Sequence, residues 1–298
     1  MRAVVTGGAG FIGSAVVDRL VAQGSDVLIL DDLSGGSETN LKEAYHSGPG
    51  TVHLTVADIG EVGTTEAVAA HRPDVVFHLA AQVNVNSSVD DPVADAHTNI
   101  IGLLRVLNGA QLAGTRKFVF TSSGAIYGEV DPKLLPLQED TTRRPLSPYG
   151  VAKLAGAFYL EAYEALHGLA GTTLALANVY GPRQDPHGEA GVVAIFAERL
   201  LSGQPCTIYG DGEQTRDFVY VGDVAEAFLA AAERGNGQLL NIGTGVETSV
   251  NHLYSSMAAA AGGPGEPVRE PERLGELKRS ALSSARATTE LGWCSTTI

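Results

Sequence analysis

The chain has 298 residues, enough for one large or two ordinary domains with full cores, and carries a formal charge of -14 with no basic run. That balance excludes nucleic acid and anionic membrane surfaces as partners, so an anionic ligand must be held by helix N-termini and a few placed arginines. The two cysteines, Cys206 and Cys294, stand alone, which argues against a disulfide framework and a zinc site, and no apolar run approaches the ~20 residues of a membrane span. A strand starting at residue 2 leaves no room for a leader, and a cytoplasmic protein is expected.

Arg2 to Val5 reads as a strand, Thr6 to Gly13 as a turn, the following residues to about Gln23 as a helix, and Asp26 to Leu30 as a second strand ending on Asp31. Glycines at 8, 10 and 13 satisfy G-x-G-x-x-G, and those at 7, 10 and 13 satisfy G-x-x-G-x-x-G. Either register makes the same physical demand. The turn must be tight, the backbone must approach a pyrophosphate without a Cβ in the way, and the helix starting near Phe11 and Ile12 must offer its N-H groups to the anion. Asp31 lies 18 residues beyond Gly13, where an acid grips the adenosine ribose. Its charge and that of Asp32 repel a 2'-phosphate, and no Arg or Lys occurs between Asp31 and Lys42, so the cofactor reads as NAD and not NADP.

Further along, Thr51 to Val56 is a short strand ending near Asp58-Ile59, Gly60 to His71 is helical, and Asp74 to His78 is an apolar run suited to a strand buried on both faces. Leu79, Ala80 and Ala81 follow, small residues on the ligand side of a parallel sheet. A long helix is expected from Pro92 to Ala113, then a strand from Lys117 to Thr121 leading to Ser122-Ser123, and a surface excursion over residues 129 to 146. The next helix opens at Ser147-Pro148-Tyr149 and runs to His167, and Leu174 to Leu176 gives a sixth strand. The fold class is therefore α/β: a Rossmann-type doubly wound parallel sheet with a smaller C-terminal α/β substrate lobe. Residues 1–177 form the NAD-binding domain, with a later return to its sheet in residues 216–235 near Phe218 to Tyr220, and 178–298 form mainly the nucleotide-sugar lobe.

Tyr149 and Lys153 are four apart on a helix, so their side chains leave the same face one turn apart. A cation beside a phenol favours phenolate, and Ser123 at the end of the preceding strand could meet the same substrate oxygen. With these motifs in this order the sequence resembles the extended short-chain dehydrogenase/reductase superfamily, and within it the UDP-glucose 4-epimerase-like sugar-nucleotide epimerases. The resemblance also takes in Asn99, Asn178 to Gln184, Arg216 to Val221 and Arg273 to Glu276.

The resemblance implies roles position by position. Asp58 and Ile59 would flank adenine, Leu79 to Ala81 and Asn99 would line the cofactor, and Ser123, Tyr149 and Lys153 would form the catalytic set. Asn178, Arg216 and Arg273 would hold the diphosphate and ribose of a UDP-sugar, Tyr209 would stack on uracil, and Glu276 would take a ribose hydroxyl. Ser280, where hexose-restricted relatives often have tyrosine, would leave room for a 2-N-acetyl group. The implied activity is NAD-dependent inversion at C4 of a UDP-hexose, with a homodimer formed by the helices of 92–113 and 147–167. A UDP-glucuronate 4-epimerase is the alternative within the fold, and a non-catalytic NAD-binding regulator the alternative outside enzymology. Ser123-Gly124-Ala125 lacks the acid that a 4,6-dehydratase places beside the catalytic hydroxyl.

Overall fold

The computed structural model describes residues 1–46, 48–187, 191–262, 265–272 and 277–297. It opens on β1 (Arg2–Thr6), α1 (Phe11–Ala22) and β2 (Asp26–Asp31), and α1 lays Val16, Val17 and Leu20 on the sheet. After the edge strand β3 (Thr51–Val56), a turn closed by Glu61 N-H to Asp58 C=O delays the helix, so α2 spans Thr64–His71 and not the whole of 60–71. Strand β4 (Val75–His78) is buried along its length, as its apolar run implied.

The helix expected over 92–113 is a rod in three pieces. A short α3 (Val85–Asp90) precedes α4 (Pro92–Ala96), a π-helical turn (His97–Gly102) and α5 (Leu103–Ala113). Asp91 caps the start through the N-H groups of Val93 and Ala94, and Gly114 at φ 68° closes the end. The π turn lies where Gly102 admits Ile59: a Cβ there would stand 2.7 Å from Ile59 Cδ1. Such turns are frequent at functional sites, and this one carries Asn99.

Strand β5 (Lys117–Ser123) leads through the excursion to α6 (Pro148–His167), whose start is fixed by the Ser147 hydroxyl accepting the Gly150 N-H at 3.1 Å, with Pro148 in the first turn. The sixth strand, β6 (Ala170–Leu176), is longer than the apolar Leu174 to Leu176 alone. Beyond it come β7 (Asn178–Tyr180), α7 (Val192–Leu201), β8 (Thr207–Tyr209), β9 (Thr215–Arg216), β10 (Phe218–Tyr220) and α8 (Val221–Ala231). The chain ends with β11 (Gln238–Ile242), β12 (Thr248–Ser249), α9 (Val250–Ala261), β13 (Val268–Glu270) and α10 (Ala285–Leu291).

Seven parallel strands form the central sheet in the order β11-β6-β5-β4-β1-β2-β3. Sequence alternation divides its faces: Ala3, Val5, Val75, Phe77 and Val119 pack under α1 and α8, while Val4, Val76, Phe118 and Phe120 pack under α2, α5 and α6. The order reverses between β1 and β4, which puts the ligand crevice at Gly7 and Leu79. Phe218–Tyr220 pairs with β7 in a separate ribbon and the added strand of the sheet is β11, while α8, within the expected 216–235, packs on the sheet face beside α1. Asn241 near the end of β11 interrupts its apolar run; it is buried with Tyr127 Oη donating to its Oδ1, its amide donating to Leu137 C=O, and its N-H donating to Glu139. A satellite core of Phe196, Leu200, Cys206, Ile208, Val250 and Tyr254 joins α7, α9 and β8, and β13 pairs with β8. Both cysteines are free, and among the described residues no helix is long and apolar enough to cross a membrane.

The C-terminal segment is held by one carboxylate. Asp223, in the first turn of α8, accepts Thr296 Oγ1 at 2.6 Å, the Thr297 N-H at 2.9 Å and the Thr296 N-H at 3.1 Å, while Trp293 Nε1 donates to its carbonyl at 2.7 Å. Burial works to raise its pKa, but the hydrogen bonds from Thr296, Thr297 and Ser295 win and hold it below its ordinary 3.8. A depressed carboxylate contributes stability above its unfolded value and loses it as pH falls through the folded one. Asp223→Ala is expected to cost about 3 kcal/mol at neutral pH, and urea titrations of wild type and variant should converge as the pH drops below 3.8.

Candidate active site

Two close approaches shape the crevice. Gly7 sits at φ 69° and a Cβ on it would stand 2.6 Å from Ala80 N; a Cβ on Gly13 would stand 2.0 Å from Gly7 O. Gly10 meets Gly7 O at 3.2 Å, whereas Gly8 faces the Ile29 side chain. The backbone-to-backbone contacts therefore belong to the 7-10-13 register, which the spacing alone left open. Gly10 caps α1 with no side-chain bond, and the first turn carries no acid, so Phe11, Ile12 and Gly13 present N-H groups with the positive helix end. The turn is closed on itself by backbone contacts that a Cβ would break, the helix N-terminus stays open to a diphosphate, and the residues present fit a dinucleotide.

Asp31 ends β2 with its carboxylate bridging the Ala9 N-H at 2.8 Å and the Leu33 N-H at 2.9 Å. It braces the glycine turn and retains acceptor capacity for ribose hydroxyls. Asp32 is exposed and turns to its own loop, accepting Ser34 N-H and Oγ, so it adds negative potential and no contact to the cradle. Asp58 accepts the Gly60 N-H at 2.7 Å, and Ile59 spends its side chain in the core at 4% exposure. Only a backbone role toward adenine is left to Ile59.

On the other side of the switch point, Thr6 fixes the segment after β4. Its carbonyl accepts the Leu79 N-H, its hydroxyl accepts the Ala80 N-H at 3.2 Å, and the same hydroxyl meets His78 Nδ1 at 2.9 Å. Burial and the nearby Lys153 charge push His78 down to about 3, so its imidazole is neutral. Leu79, Ala80 and Ala81 are half-buried beside Gly7. Asn99 does not point its amide at a ligand: Oδ1 accepts the Gln82 N-H at 3.0 Å, and Nδ2 donates to Gln82 C=O at 3.0 Å and to Asp95 Oδ1 at 2.8 Å. It pins the cofactor-side segment, together with Gln82 and Asp95, neither of which the sequence reading had singled out.

The catalytic candidates converge from β5 and α6. Ser123 is half-buried at the strand end, with its Oγ accepting the Ala125 N-H at 3.2 Å. Lys153 is 3% exposed, donates to Thr121 C=O at 3.0 Å, and stands 5.7 Å from the centre of the Tyr149 ring. Burial pushes Lys153 down to about 8 against the upward pull of Asp95. Burial pushes Tyr149 up to about 12, with a Ser123 hydrogen bond working downward and the Asp95 charge upward. A phenol, a hydroxyl and a cation thus face one space beside the nucleotide crevice, a set able to take and return a proton at one oxygen.

The smaller lobe is tied together by Asp217, a buried acid within the Arg216 to Val221 stretch. Its carbonyl accepts the Asn178 N-H at 2.9 Å, and its carboxylate accepts N-H groups of Thr244, Gly245 and Leu282. Asn178 is thereby laid beside Phe218 at the start of β10, two residues beyond Arg216, and the segment before Ser280 meets β9, with Lys278 C=O accepting the Thr215 N-H at 2.9 Å. Arg216 Nη1 donates to Thr215 C=O. Tyr209 opens onto a cleft of about 200 Å³ with Gln214, Lys278 and Arg279. Arg273 and Glu276 lie outside the described residues.

The sequence profile of the NAD dependent epimerase/dehydratase family matches residues 3–243. The chain is 51% identical over 98% of its length to a UDP-glucose 4-epimerase of Mycolicibacterium smegmatis, of which it covers 93%. Among solved structures it is similar to the UDP-glucose 4-epimerase of Thermotoga maritima with UDP-glucose, at TM-score 0.95 and 46% identity, covering 100% of this chain and 94% of that one. It is also similar to the Thermus thermophilus UDP-glucose 4-epimerase complex with NAD, at TM-score 0.91 and 42% identity, covering 100% and 95%.

The cradle predicts a specific failure. Gly13→Ala must move the Gly7 backbone, at a cost of about 2 kcal/mol, and the purified variant should release no dinucleotide on acid extraction where wild type does.

Proposed function

The chain belongs to the NAD dependent epimerase/dehydratase family, and on that premise we propose that it is an NAD-dependent 4-epimerase of UDP-hexoses, interconverting UDP-glucose and UDP-galactose through a 4-keto sugar. The observation that carries the reading is Tyr149 and Lys153 facing one space with Ser123 beside the glycine cradle. Residues 1–177 with the later return hold NAD, and residues 178–298 hold mainly the nucleotide sugar. The two free cysteines and the absence of an apolar spanning helix among the described residues fit a cytoplasmic enzyme.

NAD, when bound, supplies reversible hydride acceptance. Asp31, the glycine turn and the first turn of α1 would hold it, and Lys153 would hold its nicotinamide ribose. Tyr149 takes the proton from the sugar 4-hydroxyl and returns it after the sugar has presented its other face. Ser123 hydrogen-bonds the same oxygen and keeps it aligned while the sugar turns. From about 12, the phenol must come down by about five units to act as base near neutrality, which amounts to ~7 kcal/mol. The Lys153 ammonium and the positive charge of bound NAD are the two contributors. Asn178, Arg216, Arg273 and Glu276 take the diphosphate and ribose, and Tyr209 takes the uracil. The small side chain of Ser280 leaves room for a 2-N-acetyl group, so UDP-GlcNAc and UDP-GalNAc are included in the substrate range.

Purified protein given UDP-galactose, or UDP-GalNAc, without added NAD should yield the C4 epimer on chromatographic separation. Tyr149→Phe should lower the rate by about 10³-fold while keeping bound NAD. A wild type that holds NAD and turns over neither sugar would overturn the proposal.

We further propose a homodimer across the two long helices. Val93 is 78% exposed and Phe158 53% exposed, with Ile101, Val151 and Tyr159 also open to solvent, a concentration of apolar surface that a partner face would cover. Val93→Glu with Phe158→Glu should sediment as monomer where wild type sediments as dimer.

A further inference from the structure

Arg183 stands five residues beyond Asn178, in a stretch that the proposed chemistry uses only for that asparagine. It is held at φ 72°, left-handed backbone that a residue with a long L side chain adopts at a cost. The compensation lies outside its own lobe. Arg183 Nη1 donates to Asp18 Oδ2 at 2.7 Å, and Nη2 donates to Glu43 Oε2 at 2.9 Å. Asp18 is on α1, whose N-terminus is the open end of the cofactor site, and its other oxygen, Oδ1, is buried without a hydrogen-bond partner among the described residues. Glu43 follows the 3-10 turn Glu38–Leu41, which is tied to the glycine turn by the Ser37 N-H and Asn40 Nδ2, both donating to Ala9 C=O, at 3.0 and 2.9 Å.

One guanidinium therefore joins three segments: the chain leaving β7, the cofactor helix and the segment lying on the glycine turn. Such a bridge takes two donor nitrogens in a fixed fork, which the single ammonium of a lysine does not offer. We propose that Arg183 is a positioning residue that docks the end of β7 on the cofactor helix, so that holding a UDP-sugar and holding NAD favour each other. Strand β7 carries Asn178 beside Phe218 of β10, so its placement sets where the nucleotide-sugar side lies relative to α1. A ligand held on the β7 side and a dinucleotide held on α1 each favour the docked arrangement, and what one contributes the other need not supply again. A second ion pair on the same helix, Arg19 Nε to Glu226 Oε1 at 2.6 Å, reaches α8 and supplies the control. The inference rests on the epimerase reading for the identity of the ligand and not for the docking.

The test uses the NAD-loaded protein and two readouts. Amide hydrogen exchange over residues 178–180 reports the docking, and replacement of bound NAD by isotope-labelled NAD, with and without UDP, reports the coupling. In Arg183→Met the amides of 178–180 should exchange about tenfold faster than in wild type, and the roughly fivefold slowing of NAD replacement that UDP brings to wild type should disappear. Adding Asp18→Asn to Arg183→Met should change neither readout further, because the pair is already broken. Arg19→Met, which breaks the other ion pair of α1, should leave both at wild-type values. Arg183→Gly suits the left-handed backbone and deletes the bridge, so it should fold at least as well as Arg183→Met and still match it in both readouts. Unchanged amide exchange in Arg183→Met, bound UDP that does not slow NAD replacement in wild type or still slows it in the variant, or wild-type behaviour in Arg183→Gly overturns the proposal. A wild type that does not bind UDP overturns the epimerase reading, and the amide exchange of 178–180 then still decides whether Arg183 docks β7.

Discussion

Everything in this fold is arranged around a backbone approach that leaves no space for a side chain. Gly7 lies against Ala80 and Gly13 lies against Gly7 O, so the ends of β1 and β4 and the start of α1 meet at one point. That contact fixes where the helix N-terminus points and where the strand carbonyl ends stop. Asp31 and Thr6 then hold the two sides of the gap by accepting N-H groups from Ala9, Leu33 and Ala80. The crevice is thus defined by hydrogen-bonded backbone, which is stiffer than any arrangement of long side chains and does not compete with a ligand for its place.

The second constraint is electrostatic. Placing Tyr149 and Lys153 away from water moves each toward its neutral form, the phenol up to about 12 and the amine down to about 8. Burial by itself therefore works against a phenolate beside an ammonium. The useful ionised pair requires additional charge in the same dry space, and there each charge counts for more than it would in solvent. In the chemistry proposed above, a raised phenol is a poor base by itself and gains from any positive charge placed beside it.

The sequence made legible those features that depend on residue spacing. The glycine turn, Asp31, the four-residue step from Tyr149 to Lys153 and the Ser147-Pro148 helix start all have local causes, and each stands where spacing placed it. Features set by tertiary contact were not legible. Strand β11 carries Asn241 as its last residue but one, which reads as polar until Glu139, Tyr127 and Leu137, about a hundred residues away, satisfy it. The π turn at 97–102 lies where Ile59 fills the space beside Gly102, and the Asn99 amide bonds Gln82 and Asp95, partners that no local pattern indicates. Asp217 looked like one more acid in an acidic chain, yet its partners lie at 244, 245 and 282.

These acids share a logic that bears on the net charge of -14. Asp31, Asp217 and Asp223 each accept backbone N-H groups from segments distant in sequence, and so act as joints between loops that have no strand or helix to organise them. A carboxylate suits such a joint because it offers two oxygens and about four lone pairs without presenting a donor that needs a partner of its own. Part of the chain's negative charge is therefore structural and turned inward. Part of its positive charge is committed likewise, as Arg183 joins Asp18 on α1 to Glu43 and Arg279 joins Glu247. An anion approaching this protein meets a net negative chain, so what binds it must be local, and the open N-terminus of α1 is such a place, with its N-H groups presented and no acid in its first turn.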